Sequence, residues 1–128
     1  MTRRTVTLRL LFWAAMIFAV TMAVVRHPPH TPVDGFGDKF EHMLAFATMS
    51  ALAAAAYPRF PLARIGERLS FLGALIEVVQ SIPELHRDCD IRDWIADTLA
   101  ITVVLLIAGL VRRNRAQSTA SDRGNSPE

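Results

Sequence analysis

The chain has 128 residues, 52% of them hydrophobic, and a mean hydropathy of +0.28, too apolar for an ordinary small soluble domain and of a length that suits one domain. Its net charge of +2 and pI near 9.3 do not amount to a nucleic-acid footprint, because the arginines gather at the ends of apolar segments and form no continuous basic stripe. The single cysteine, Cys89, excludes an intramolecular disulfide and a paired-cysteine metal site, and leaves intermolecular pairing open.

The first apolar run, Leu10 to Val25, follows Arg3, Arg4 and Arg9 and ends at Arg26 and the proline-rich break His27-Pro28-Pro29-His30-Thr31-Pro32. With Arg9 snorkelling toward the headgroups it reaches roughly the 17 residues that a spanning helix needs. A cleaved signal peptide is the competing reading, since Thr21-Met22-Ala23 loosely fits a cleavage site. The second run, Phe40 to Tyr57, stops at Pro58 and Pro61, which lack the backbone donor a helix requires. Its Ala47, Ala51 and Ala55 fall four apart, a spacing that predicts a face open to close helix approach. The third run covers Ile65 to Ile82 and closes at Pro83. The fourth, Trp94 to Val111, ends at Arg112, Arg113 and Arg115, and the polar stretch 116–128 reads as a disordered cytoplasmic tail.

These runs predict an all-α fold, an integral membrane bundle of four transmembrane helices over 10–25, 40–57, 65–82 and 94–111, in a single domain spanning 1–115. Orientation follows from the distribution of lysine and arginine in the short connections. Ten of these residues fall on the side of both termini and four on the other, so both termini are expected in the cytoplasm.

The polar residues of the runs collect at the opposite, outward end. Asp38, Lys39 and His42 open the second run, Glu77 and Gln80 lie near the end of the third, and Arg87, Asp93 and Asp97 lead into the fourth. An ionisable side chain costs roughly 2.5–3.5 kcal/mol at the centre of a span, so several at one depth point to a site. Asp38 and His42, four apart, share a helix face, and Asp38 equally suits a capping role at the helix start. Asp93 likewise suits the N-cap of the fourth helix. At 1.5 Å per residue, Glu77 lies about 8 Å and Asp97 about 5 Å inside their helix ends, so these side chains can meet in one layer. Glu77 paired with Arg87, Lys39 or His42 as an interhelical clamp is the structural alternative to a ligand pocket.

Two other constellations are weaker. His27, His30, His86, Cys89, Asp88 and Asp90 contain metal-ligating types without a recognised ligand spacing, so no metal and no cofactor are expected. Ser81 with His42 and an aspartate has neither a nucleophile elbow nor an oxyanion loop beside it. A path for protons or ions through the whole membrane lacks polar groups, since the cytoplasmic halves offer only Thr48, Ser50 and Ser70.

Asp38-Lys39-Phe40-Glu41-His42, then Glu77-Val78-Val79-Gln80, then Arg87 with Asp93 six residues later, resembles the pattern of the VanZ-like family of small bacterial membrane proteins. The resemblance covers roughly Gly37 to Leu110. The chain departs from the pattern at Asp97, where the family usually has Asn, at Ala100, where a Gly is common, and before Arg87, where Pro83 remains but the usual Pro-Gly is lost. The resemblance implies a multi-pass protein of the bacterial inner membrane, and the family takes its name from a protein associated with resistance to the glycopeptide teicoplanin.

The expected function is therefore that of a non-enzymatic envelope protein, surrounded by membrane lipids and without a nucleic-acid partner. Asp38, Lys39, His42, Glu77, Gln80, Arg87, Asp93 and Asp97 are expected to line an outward pocket for a lipid-linked or envelope headgroup. Lys39 and Arg87 would take an anionic group, and the acids and Gln80 would accept hydroxyl or amine donors. The alternative is a membrane-embedded enzyme with His42 as general acid or base, oriented by Asp38, and Glu77 or Asp93 as partner carboxylate.

Overall fold

The computed structural model describes residues 1–25, 37–85 and 89–124, with Asp38 and Leu85 described in their backbone only. Among these residues the fold is all-helical, with no strand. Helix α1 runs over Arg3–Val24, α2 over Asp38–Ala56, α3 over Leu62–Gln80 and α4 over Ile91–Gly124, with a single 3-10 turn at Pro83–Leu85 before α4.

The helix ends follow local chemistry. Helix α1 begins well before the apolar run because the Thr2 hydroxyl accepts from the Thr5 amide at 3.2 Å and caps the first turn. Gly37 precedes α2 at φ +90°, a backbone region that L side chains rarely adopt. The N-cap position therefore belongs to Gly37, and Asp38 is the first helical residue. At the other end of α2, Pro58 has no N–H to give to the carbonyl four residues back, that of Ala54. Arg112 of α4 supplies the donor instead: its Nη2 lies 2.8 Å from Ala54 O and 3.3 Å from Tyr57 O, and its Nη1 3.1 Å from Phe60 O. Arg9 of α1 adds a 3.4 Å hydrogen bond to Ala56 O. The α2–α3 turn is thus capped by arginines from both flanking helices.

Helix α4 continues to Gly124, which corrects the expectation of a helix ending at Val111 and a disordered tail from 116, as far as residue 124. No proline or glycine interrupts 112–123. Ser118 and Thr119 turn their hydroxyls back onto Asn114 O and Arg115 O, which satisfies those groups without leaving the helix. This extension is exposed throughout its last turns among the described residues.

Helix α2 packs principally on α4 and α1, and α3 on α4. The core gathers small and large apolar residues in turn, with Phe46, Met49, Ala53, Ile65, Leu69, Ile76, Ile101 and Leu105 all buried. The predicted small-residue face on α2 is not the contact: Ala51 and Ala55 are exposed. Close approach instead comes from α3, where Gly66, Ser70 and Gly73 face α4. A Cβ on Gly66 would lie 3.1 Å from Leu105, and one on Gly73 3.4 Å from both Phe46 and Trp94. Along the same seam the Ser70 and Thr98 hydroxyls are 2.9 Å apart, and Trp94 Nε1 donates to Ser70 O at 3.0 Å. Helices α1 and α4 are long and apolar enough to cross a membrane.

Candidate functional site: a buried acidic cluster at one end of the bundle

The starts of α2 and α4 and the end of α3 come together at one end, and each delivers polar side chains. Helix α2 contributes Lys39 and His42, α3 contributes Glu77 and Gln80, and α4 contributes Asp93 and Asp97. Lys39 Nζ lies 3.7 Å from Asp93 Oδ1, and His42 Nδ1 lies 3.7 Å from Asp97 Oδ2. Both separations are charge contacts longer than a hydrogen bond, the second depending on a protonated His42. The Lys39 side chain is half exposed, whereas Asp97 is only 1% exposed.

Asp97 lies against the backbone of α3 at Gly73. The absent Gly73 side chain would have met Asp97 Oδ2 at 3.9 Å, behind Phe46 and Trp94. Glu77 is buried at 6% exposure, and its Oε2 accepts from the Asp90 amide at 3.1 Å. Its other oxygen, Oε1, is also buried and has no hydrogen-bond partner among the described residues. His42 and Asp93 are close enough to Glu77 to act on it electrostatically. Two acids on α4 and one on α3 thus share a compact volume with one imidazole and one ammonium.

Cys89 and Asp90, directly before α4, lie against this cluster. Asp90 caps α4, its Oδ1 accepting from the Arg92 amide at 2.9 Å. Asp93, expected as the cap, lies a turn inside the helix and is turned toward Lys39. The Cys89 residue is exposed overall, but its thiol is desolvated against Glu77. That desolvation, the proximity of the Glu77 carboxylate and the nearby charges of Asp90 and Asp93 hold the thiol above the ordinary cysteine range.

Of the residues singled out from the sequence, Lys39, His42, Glu77, Asp93 and Asp97 converge. Gln80 points elsewhere with its amide nitrogen, which donates to Ala23 O of α1 at 3.0 Å in a buried position, a contact that ties α1 to α3. The histidine facing partner is Asp97. Arg87, the Asp38 side chain, His27, His30, His86 and Asp88 lie outside the described residues. Among the described residues no group of three or more His, Cys, Asp or Glu is arranged to hold a metal ion. Asp90, Cys89 and Gly73 were not singled out as site residues. Asp90 carries a legible signal, an aspartate directly before an apolar helical run with a second acid three residues on.

Chemically, the cluster accepts. Among the described residues Lys39 faces Asp93 and His42 faces Asp97, and Glu77 presents a buried oxygen, Oε1, to the same volume. Comparison with known proteins adds nothing to this geometry: no protein-family model, curated protein or solved structure matches the chain.

Proposed function

We propose that the chain is an integral protein of the bacterial inner membrane, VanZ-like in type, that crosses the bilayer four times with both termini in the cytoplasm. On this reading the acidic cluster faces outward and binds the polar headgroup of a lipid-linked or envelope ligand through N–H or O–H donors. Several observations support it. The most apolar stretches of α1 and α4 are only 11% and 17% buried, unlike core helices of a soluble fold. Large apolar side chains such as Ile17, Phe18, Phe71, Val78, Leu106 and Leu110 stand on the outside of the bundle. Helices α2 and α3, with 19 residues each, fall within the roughly 17–25 that span a bilayer. Arg9, Arg68 and Arg112 gather at the end opposite the acids, as the bias of positive residues toward the cytoplasm requires.

The single observation that carries the binding reading is Glu77 Oε1, a buried carboxylate oxygen without a hydrogen-bond donor among the described residues, within a polar cluster. A buried acceptor left unmade costs about 1–3 kcal/mol, more for a charged group, and a ligand donor recovers that cost. Native mass spectrometry of the purified protein with its co-isolated lipids tests this. A defined headgroup species is expected on the wild type and lost from Glu77→Gln. Identical, nonspecific phospholipids on both proteins, with helix content unchanged, would reduce the cluster to a packing device.

One contact favours a second reading, an enzyme acting on a lipid-linked envelope substrate. His42 lies 3.7 Å from the buried Asp97, a carboxylate near enough to act on the imidazole in a general acid or base role. In that case His42→Gln abolishes turnover while ligand retention persists; joint loss of both returns the site to binding alone.

A further inference from the structure

At the opposite end of the bundle, a cavity of about 420 Å³ lies between α1, α2 and α3. Its walls are aromatic and aliphatic, with Trp13 and Met16 on α1 and Leu72 and Leu75 on α3. Ala53 forms part of its floor, where the small side chain leaves the space open. The one charged residue on its lining is Arg68. None of these groups belongs to the acidic cluster.

Three features identify an occupant. First, an apolar void of this kind does not hold water, so in a bilayer it fills with hydrocarbon. Second, its α3 wall runs from Ile65 to Leu75, ten residues or about 15 Å, which is half of the roughly 30 Å hydrocarbon core and so the depth of one leaflet. Third, the end of the groove is cationic. The Arg68 guanidinium is stacked 4.9 Å over the Phe60 ring, and Arg9 is stacked 4.8 Å over Tyr57. Stacking holds both guanidinium groups at the level where a phosphate sits at the head of an acyl chain; Arg9 is engaged with Ala56 O and the Met1 sulfur, whereas Arg68 makes no hydrogen bond among the described residues and keeps its N–H edges for the phosphate.

We propose that this groove binds one acyl chain of an anionic phospholipid from the cytoplasmic leaflet, with the lipid phosphate at Arg68. The proposal rests on the four-span reading above and is independent of what the acidic cluster binds. The lipid fills the gap between α1 and α3 and acts as part of the packing at that end of the bundle.

Trp13 makes the groove observable, because bromine on a lipid chain quenches an indole that it touches. The full-length protein is reconstituted in phosphatidylcholine vesicles containing a minor fraction of dibrominated phosphatidylglycerol or dibrominated phosphatidylcholine. The wild type should be quenched at about fivefold lower bromolipid content by the anionic lipid, the ratio expected for one arginine near a membrane surface. Arg68→Gln brings that ratio close to one, Leu72→Phe fills the groove and weakens quenching by both lipids, and Trp13→Phe, which leaves only Trp94, shows no preference. Equal quenching of the wild type by both lipids overturns the proposal. So does a Trp13 shielded from every bromolipid in a protein that cross-links as a dimer, which would assign the groove to a second copy. Alkaline carbonate extraction separates the two levels. A protein that washes off the membrane refutes the four-span reading, and one that stays while showing no lipid preference refutes the groove alone.

Discussion

Replacing Arg112 with alanine should be among the most damaging single changes outside the core, because one guanidinium does the work of the backbone donor that Pro58 lacks. Three carbonyls lose a hydrogen bond at once, Ala54 at 2.8 Å, Phe60 at 3.1 Å and Tyr57 at 3.3 Å. A hydrogen bond from a charged group contributes about 1.5–3 kcal/mol, so the two shorter bonds represent about 3–6 kcal/mol before compensation. Water reaches this end of the bundle because Arg112 is only part-buried, and Tyr57 O keeps its bond from the Phe60 amide at 3.0 Å. The expected net loss is therefore about 2–4 kcal/mol. Unfolding in dodecyl maltoside micelles titrated with SDS, followed by helix circular dichroism, measures it. Arg112→Lys should recover less than half, since one ammonium cannot reproduce the planar fork that reaches both sides of the turn. A loss below about 0.5 kcal/mol for alanine, or a lysine variant as stable as wild type, would refute this account of the turn.

Gly73→Ala should be close to neutral, because its Cβ meets Phe46 and Trp94 at 3.4 Å and the gain in helix propensity of about 1 kcal/mol offsets the squeeze. Gly73→Leu should cost about 1–3 kcal/mol in the same unfolding assay and displace Asp97; equal stability of the two variants would contradict the close α3–α4 seam. Cys89 should alkylate with iodoacetamide along a pH profile displaced above that of a free cysteine, since a raised pKa leaves less thiolate at any given pH. Glu77→Gln should move that profile back down, and an unmoved profile would show that Glu77 does not govern the thiol. A membrane-impermeant maleimide added to intact cells should also reach this sole cysteine, whereas labelling only after lysis would invert the proposed orientation.

Much of the architecture was legible in the chain. Prolines 58, 61 and 83 punctuate the apolar runs, and the structure turns at each of them. The gathering of Lys39, His42, Glu77, Asp93 and Asp97 at one end followed from helix lengths alone. Their pairing did not. Asp38, four residues before His42, has its side chain outside the described residues, and the contact the structure shows is to Asp97 on another helix, which the sequence could not single out because the relative rotation of two helices leaves no mark on the periodicity of either. The alanine stripe of α2 misled for a related reason. When the outside of a bundle is as apolar as its inside, small residues on a helix do not tell which face is covered, and the glycines of α3 took that role. The overrun of α4 escaped because composition was weighed over local helix propensity, and no breaker stood between Arg112 and Gly124.

The two rungs between α2 and α4, Lys39 with Asp93 and His42 with Asp97, have a mechanical consequence. Sliding α4 by one turn, about 5.4 Å, toward the α2–α3 turn would bring Asp93 level with His42 and carry Asp97 into the apolar core; sliding it the other way would strand Asp93 above Lys39. Arg112 locks the same helix to the α2–α3 turn, nineteen residues or about 28 Å further along, so α4 is bolted at both ends over nearly the full depth of a hydrocarbon core. A piston stroke of α4 would have to break both bolts together. Helix α1 carries no such charged rung among the described residues: it is fastened by neutral and single-arginine contacts, Gln80 to Ala23 O, Arg9 to Ala56 O, Trp13 to the Tyr57 hydroxyl and the Phe12–Tyr57 ring contact, so its register along the bundle is set by packing around Tyr57.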